Sequence, residues 1–137
     1  MNNEQIEQEI QEKGLTAPRV TLADIEANIE REYFFTAYDG VDGAEIKKIR
    51  SEEPDKPVTL CPFEEESEFP EHVQSLSLLT FCVLVLKNGF TVTGESACVS
   101  PENFDADIGC LVAYENAVEK LWPLMGYALK EKLHVEG

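Results

Sequence analysis

Two glycines, Gly89 and Gly94, have the spacing of a phosphate-binding loop within LVLKNGFTVTGESACVSPENFD. In such a loop a lysine follows the second glycine, since its ammonium group meets the phosphates. Here Glu95 takes that position, before Ser96, and a carboxylate repels phosphate. A true loop also opens a helix, whereas these glycines fall at a predicted hairpin turn and in its returning strand. The pattern therefore predicts no nucleotide site.

The same stretch holds two potential nucleophiles, Ser96 and Cys98, in the sequence GESAC. A nucleophile elbow needs a second glycine after the serine and a position between a strand and a helix. Neither condition is met, and the two histidines, His72 and His134, are distant in sequence. We therefore expect no catalytic residues and no enzymatic activity.

Clustered acids do not predict a metal site either. Asp39, Asp42 and Glu45 lack the ligand order of an EF-hand, so YDGVDGAEI is interpreted as a loop or tight hairpin. The four cysteines form no C-x-x-C pair, which argues against zinc. The sequence predicts neither a metal nor a cofactor.

The charge restricts the partners. The 137 residues include 27 acids and 11 bases, a net charge of −16. Such a field repels phosphates, so we expect no direct nucleic-acid binding and no membrane binding. A basic protein partner, mimicry of nucleic acid and simple solubility all stay open. The polar start, MNNEQIEQEIQEKG, does not resemble a signal peptide, and the longest apolar run, 78–86, is too short to span a membrane. We therefore expect a cytoplasmic protein.

The chain divides into a polar N-terminal segment, 1–20, and one α+β domain, 21–137. In the first segment the sequence predicts a frayed or partner-dependent helix that ends near Gly14. Residues 51–72 are rich in proline and acid and predict a mobile acidic arm. Thr21 and Asp24 form a variant capping box, and apolar residues then recur at helical spacing. We therefore expect a helix over about 21–35.

An antiparallel hairpin is predicted over about 78–98, with a two-residue turn at Asn88-Gly89. This turn puts one set of side chains on the core face: Phe81, Val83, Val85, Phe90 and Val92. The other face carries Cys82, Leu84 and Leu86, half covered by the acidic arm or by a second subunit. A third strand near 41–49 or 58–60, or from another subunit, should complete the sheet. Gly94 is interpreted as a bulge or a close backbone approach.

A helical segment over about 101–133 should pack on the hairpin. Ser100 is the predicted N-cap, and Pro101 suits the first helical position. Pro123 predicts a kink or a restart, and Trp122 a core anchor. The fold class is therefore α+β, with a hairpin or small sheet against a kinked C-terminal helical segment and an N-terminal helix.

The half-apolar face suggests where partners bind. The candidate interaction surface consists of Leu84, Leu86, Glu95, Asn103 and Asp105. Because two strands alone are marginal in water, we also expect self-association, most simply a dimer.

Three stretches carry a resemblance to a known family: GLTAPRVTLADIEANIEREYFFTA, LLTFCVLVLKNGFTVTGESACVSPENFDADIG and YENAVEKLWPLMGYALKEKL. Together they resemble the gene-product-49-like family of small proteins from tailed phages and prophages. The resemblance implies a phage accessory protein in the host cell and names no reaction.

The leading hypothesis is a protein that binds an unidentified host or phage protein without catalysis. One alternative is a sponge for nucleotide signals, because the hairpin and helix also resemble phage anti-defence proteins of that kind. The other alternative is a DNA mimic.

Overall fold

The computed structural model describes residues 2–55 and 70–137. Five α-helices and three β-strands follow one another within these ranges. They are α1 (Asn3–Glu12), α2 (Leu22–Asn28), β1 (Ile29–Thr36), α3 (Ala37–Glu52), α4 (Glu71–Ser77), β2 (Leu79–Leu86), β3 (Thr91–Ala97) and α5 (Ala106–Glu136). A short 3-10 turn, Pro101–Asn103, precedes α5.

The three strands form an antiparallel sheet in the order β1-β2-β3, and α5 packs against β2 and β3. This confirms the predicted α+β class, with a small antiparallel sheet, a C-terminal helix on it and an N-terminal helix. The helix predicted before Gly14 is also present as α1.

The helix predicted over 21–35 is only half helical. Its capping box forms, since the Thr21 hydroxyl accepts from the Asp24 N–H at 3.0 Å and the Asp24 carboxylate accepts from the Thr21 N–H at 2.9 Å. The helix nevertheless ends at Asn28, and Ile29–Thr36 is β1. This strand is rich in β-branched and aromatic residues, and pairing with β2 outweighs their helical spacing.

β1 is therefore the third strand, and its predicted location was wrong. Residues 41–49 lie in α3, and 58–60 lie outside the described residues. The loop or hairpin predicted for YDGVDGAEI is wrong too, because α3 begins there with a second capping box. The Thr36 hydroxyl accepts from the Asp39 N–H at 3.1 Å, and the Asp39 carboxylate accepts from the Thr36 N–H at 2.9 Å. This cap supports the helix start despite two glycines.

The hairpin lies where it was predicted, but its register differs by one residue. Leu84 pairs with Val92, and three residues, 87–89, separate the strand ends that pair through Leu86 and Phe90. Gly89 has φ +89°, as in a three-residue loop that ends in a bulge. A one-residue shift exchanges the two faces of a strand. The predicted core face of β2 is therefore wrong.

The core lies between the sheet and α5. Its buried apolar residues are Ile25, Cys82, Leu84, Leu86, Val92, Ala113, Ala117, Val118 and Leu121. Trp122 packs partly buried against this cluster, as expected for an anchor. Phe81, Val83 and Val85 lie on the opposite face of the sheet and are half-buried.

Small residues bring α5 close to the sheet. A β-carbon on Gly94 would lie 2.9 Å from the Ala117 Cα, and one on Gly109 would lie 2.9 Å from the Thr80 hydroxyl. The close approach predicted at Gly94 is therefore present, and its neighbour is the backbone of α5.

The start of α5 differs from the prediction. Asp105 is the N-cap, since its carboxylate accepts from the Ile108 N–H at 3.0 Å. Ser100 makes no side-chain capping hydrogen bond. The helix does not restart at Pro123 and continues to Glu136. Of the predicted acidic arm, 56–69 lie outside the described residues, while its first and last residues belong to α3 and α4.

Candidate functional site

Two of the predicted surface residues lie in the core. The side chains of Leu84 and Leu86 are 0% and 5% exposed, under α5. Their placement on a half-covered face is therefore wrong, and the cause is the one-residue change of register described above.

The other three predicted residues are exposed and have local structural contacts. The backbone carbonyl of Glu95 accepts a hydrogen bond from the Asn116 side chain at 2.8 Å. Asn103 belongs to the 3-10 turn, and Asp105 caps α5. Within the described ranges no hydrogen bond or ion pair joins these three residues to one another.

The outer side of α5 carries apolar residues that sequence reasoning had not selected. Ile108, Leu111 and Val112 are 61%, 59% and 40% exposed. They stand three and four positions apart, so they form one stripe directed away from the buried residues Gly109 and Ala113. We name Ile108, Leu111 and Val112 the apolar ridge.

A cleft of about 270 Å³ adjoins the ridge, where β1 emerges from beside α5. It is lined by Glu32, Phe34, Cys110, Leu111 and Tyr114. Leu111 belongs to both features, which makes ridge and cleft one continuous surface. Because α5 packs over β2 and β3, it leaves the Phe34 ring on β1 partly uncovered.

Carboxylates border this apolar surface. Glu32 lines the cleft, and Asp107 and Glu115 stand on α5 beside the ridge, all three exposed. Burial, and next to it the negative charge of Glu32, raises the pKa of the Tyr114 phenol, which therefore stays neutral at neutral pH. An apolar centre with an acidic border suits a partner that presents an apolar side chain among basic ones.

The Cys82 thiol is fully buried. Burial raises the pKa of the Cys82 thiol to about 11, so this cysteine is a protonated core residue rather than a nucleophile. In residues 2–55 and 70–137 no three side chains of the types His, Cys, Asp and Glu are grouped to hold a metal ion.

A second cleft, of about 410 Å³, lies between α1 and α5. It is lined by Asn3, Ile6, Glu7, Ile10, Arg19, Val20, Glu119, Trp122 and Pro123. The Arg19 guanidinium donates two hydrogen bonds to the Glu7 carboxylate, at 2.7 and 2.8 Å. This ion pair ties α1 to the segment before α2 and neutralises the one base that lines the cleft.

A small antiparallel sheet with one long helix across it, and an apolar surface beside that helix, defines a small α+β protein. Residues 20–133 match the model of the phage protein (N4 Gp49/phage Sf6 gene 66) family, and the chain belongs to that family. The family predicted from the sequence is thereby confirmed. α1 precedes the matched residues.

The comparison with curated proteins and the comparison with solved structures each found no match. In the part of the chain that the structure describes, no helix has the length and apolar character needed to cross a membrane.

Proposed function

We propose that this phage protein acts by binding a basic segment of a host or phage protein, and not by catalysis. The observation that supports this most is the apolar ridge and its cleft, bordered by Glu32, Asp107 and Glu115. Exposed apolar surface that is continuous and rimmed by polar groups is typical of protein interaction sites.

The ridge supplies the apolar anchor of the proposed contact. Ile108 and Leu111 expose more than half of their surface, so covering them gains apolar burial that the isolated chain lacks. They stand on a long helix held to the sheet by Ala113 and Ala117, which makes them a rigid pair. A rigid surface loses little conformational entropy when a partner binds.

The charge supplies the selectivity. With a net charge of −16, the chain attracts a basic partner and repels an acidic one over a distance of about 10 Å at 0.1 M salt. The same field disfavours direct binding to nucleic acid. The binding should therefore weaken as ionic strength rises.

Two alternatives have less support. A nucleotide-signal sponge needs a base free to meet phosphate, and in the cleft between α1 and α5 Arg19 is already paired with Glu7. A DNA mimic needs carboxylates arrayed at the phosphate spacing of a duplex, about 3.4 Å per step on one strand. The apolar ridge has no counterpart on a duplex.

We further propose that the protein acts in the host cytoplasm and that it associates with itself. We place the protein in the host cytoplasm, where a free thiol such as that of Cys82 is the ordinary state. We place it there as a homo-oligomer, because the described sheet has three strands and leaves β1 unpaired on one side.

The test compares two helix variants as bait in lysate from infected cells, with bound proteins identified by mass spectrometry. Leu111→Glu puts a charge on the ridge, and Tyr127→Glu puts the same charge on a residue of α5 that is also exposed. Both should keep the wild-type melting temperature. We expect a captured protein with a basic segment to be lost with Leu111→Glu and kept with Tyr127→Glu.

Raising the salt from about 0.05 to 0.5 M should also release this protein, since screening weakens contacts between exposed charges. Loss with both variants, or with neither, would contradict the proposed surface. Turnover of a captured small molecule by the purified protein would contradict the non-catalytic part.

A further inference from the structure

β1 forms an edge of the described sheet, and three aromatic side chains follow its three charged residues, Glu30, Arg31 and Glu32. It pairs with β2 on one side, and residues 30–35 are all exposed. Tyr33, Phe34 and Phe35 follow one another there, 55%, 38% and 38% exposed. An exposed edge with large apolar side chains is a template for pairing with another strand.

The free backbone groups on this edge can be assigned. The Leu86 N–H donates to the Phe90 carbonyl at 2.8 Å, so Leu86 directs its backbone groups toward β3. Because these directions alternate along an antiparallel strand, the odd-numbered residues of β2 bond to β1. Tyr33 lies opposite one of them, and Glu32 and Phe34 therefore direct their N–H and C=O groups outward.

Both ends of the open edge are closed to pairing. A register shift between Ile29 and Arg31 marks a bulge at one end. At the other end, the Thr36 N–H already donates to the Asp39 carboxylate at 2.9 Å. The part of the edge available for a regular ladder is 31–35, and its midpoint is Tyr33.

We propose that β1 pairs antiparallel with β1 of a second copy of this chain, about a two-fold axis at Tyr33. The two sheets then join into six strands, with both α5 helices on the same face. This inference rests on the self-association proposed above and identifies its interface, which is isologous as a two-fold axis requires.

The neighbouring registers are less favourable. An axis at Glu32 sets that carboxylate opposite its own copy, and like charges directly opposite are destabilising. An axis at Phe34 needs the Thr36 N–H, which the Asp39 carboxylate already occupies.

The axis at Tyr33 avoids both problems. Glu32 of each copy then lies opposite Phe34 of the other copy, and the two residues exchange hydrogen bonds through their outward N–H and C=O groups. Arg31 lies opposite Phe35 of the second copy, an arrangement that allows a cation–π contact.

Added salt should strengthen the proposed dimerisation, whereas it should weaken the proposed binding of a basic partner. Each copy carries a net charge of −16, so two copies repel each other and screening favours their association. The two associations are thereby separable in one titration.

Disulfide trapping tests the register. In a background with Cys61, Cys98 and Cys110 changed to Ser, Tyr33→Cys puts two thiols directly opposite across the axis. Their Cβ atoms are then about 4.5–5.5 Å apart, and mild oxidation should give a covalent dimer. Phe34→Cys in the same background is the control. Its two thiols would lie two residues apart along the paired strands, and they should not cross-link.

Light scattering completes the test. The wild type should be a dimer whose fraction rises with salt, and Tyr33→Lys should be a folded monomer, while Thr91→Lys on β3 should stay dimeric. A cross-link with Phe34→Cys alone, or a dimer that Tyr33→Lys leaves intact, would overturn the interface and leave self-association standing. A monomeric wild type would overturn both, whereas partner capture by the ridge would be unaffected.

Discussion

Gly94 on β3 touches the backbone of α5 at Ala117. A β-carbon on Gly94 would lie 2.9 Å from the Ala117 Cα and would meet the Ala113 carbonyl and the Ala117 nitrogen still more closely. The neighbours are backbone atoms and cannot rotate away as a side chain does. The separation between α5 and the sheet is therefore set by the absence of a side chain at this one position.

Gly94→Ala should destabilise the protein, because the helix must shift to admit a methyl group. Overpacking of this kind costs about 1–3 kcal/mol or more. Gly43→Ala in α3 is the control, since a β-carbon there meets nothing within 4 Å. It should raise stability by up to about 1 kcal/mol. Urea unfolding of both variants measures the difference, and equal stabilities would contradict the close packing.

Asp105→Ala should cost about 1 kcal/mol, because α5 loses its N-cap hydrogen bond to Ile108. Asp105→Asn should retain most of the stability, since the amide oxygen accepts the same bond. Ser100→Ala should stay within about 0.5 kcal/mol of the wild type. Thermal unfolding checks the order, and a larger loss at Ser100 than at Asp105 would restore the cap predicted from sequence.

Leu84→Ala should cost about 2–5 kcal/mol, because it empties a fully buried position between β2 and α5. Leu111→Ala, on the exposed ridge, should change stability by less than about 0.5 kcal/mol. The same pair of variants separates the core from the surface in a binding assay. If Leu84→Ala were folded at wild-type stability and had lost only an oligomer, the face predicted from sequence would be correct after all.

The Glu7–Arg19 pair should make the docking of α1 depend on pH. Hydrogen bonding to Arg19, and then to Gln11, lowers the pKa of Glu7 from 4.5 to about 2. A lowered carboxyl pKa stabilises the folded form above the unfolded value. The contribution is therefore complete above about pH 4.5 and is lost as the pH falls toward 2.

Hydrogen exchange of the α1 amides measures this docking. In the wild type, protection should fall across that range, and Glu7→Gln should have lower protection at neutral pH with a flatter profile. Glu12→Gln, at the end of α1, is the control and should keep the wild-type profile. A Glu7→Gln profile that matches the wild type would show that the pair does not hold α1.

Local sequence signals predicted where several helices and strands lie, but they did not predict the register of the hairpin. The capping box at Thr21 gave the start of a helix, the hairpin signal at Asn88-Gly89 gave β2 and β3, and a helical segment lies on the hairpin as expected for about 101–133. The register failed because Asn-Gly suits a two-residue turn, whereas Gly89 here closes a three-residue loop. Nothing local distinguishes the two, and the decision depends on which face of β2 meets α5.

The candidate site inherited that error. The shifted register put Leu84 and Leu86 on the surface, and the candidate interaction surface predicted from the sequence contains neither Leu111 nor Phe34, which are exposed. A signal for Leu111 existed, since Ile108, Leu111 and Val112 exceed what one buried face of a helix needs. The exposure of Phe34 depends on how far α5 extends over the sheet, which no local pattern specifies.

The junctions on either side of β1 contain no linking residue. α2 ends at Asn28 where β1 begins, and α3 begins at Ala37 directly after Thr36. Inserting or deleting one residue between these points would turn every later side chain of the strand to the opposite face and misalign the helix after it. The part of β1 after the bulge should therefore accept substitutions but not changes of length, and a scan of single-codon deletions across 31–35 should yield no folded product.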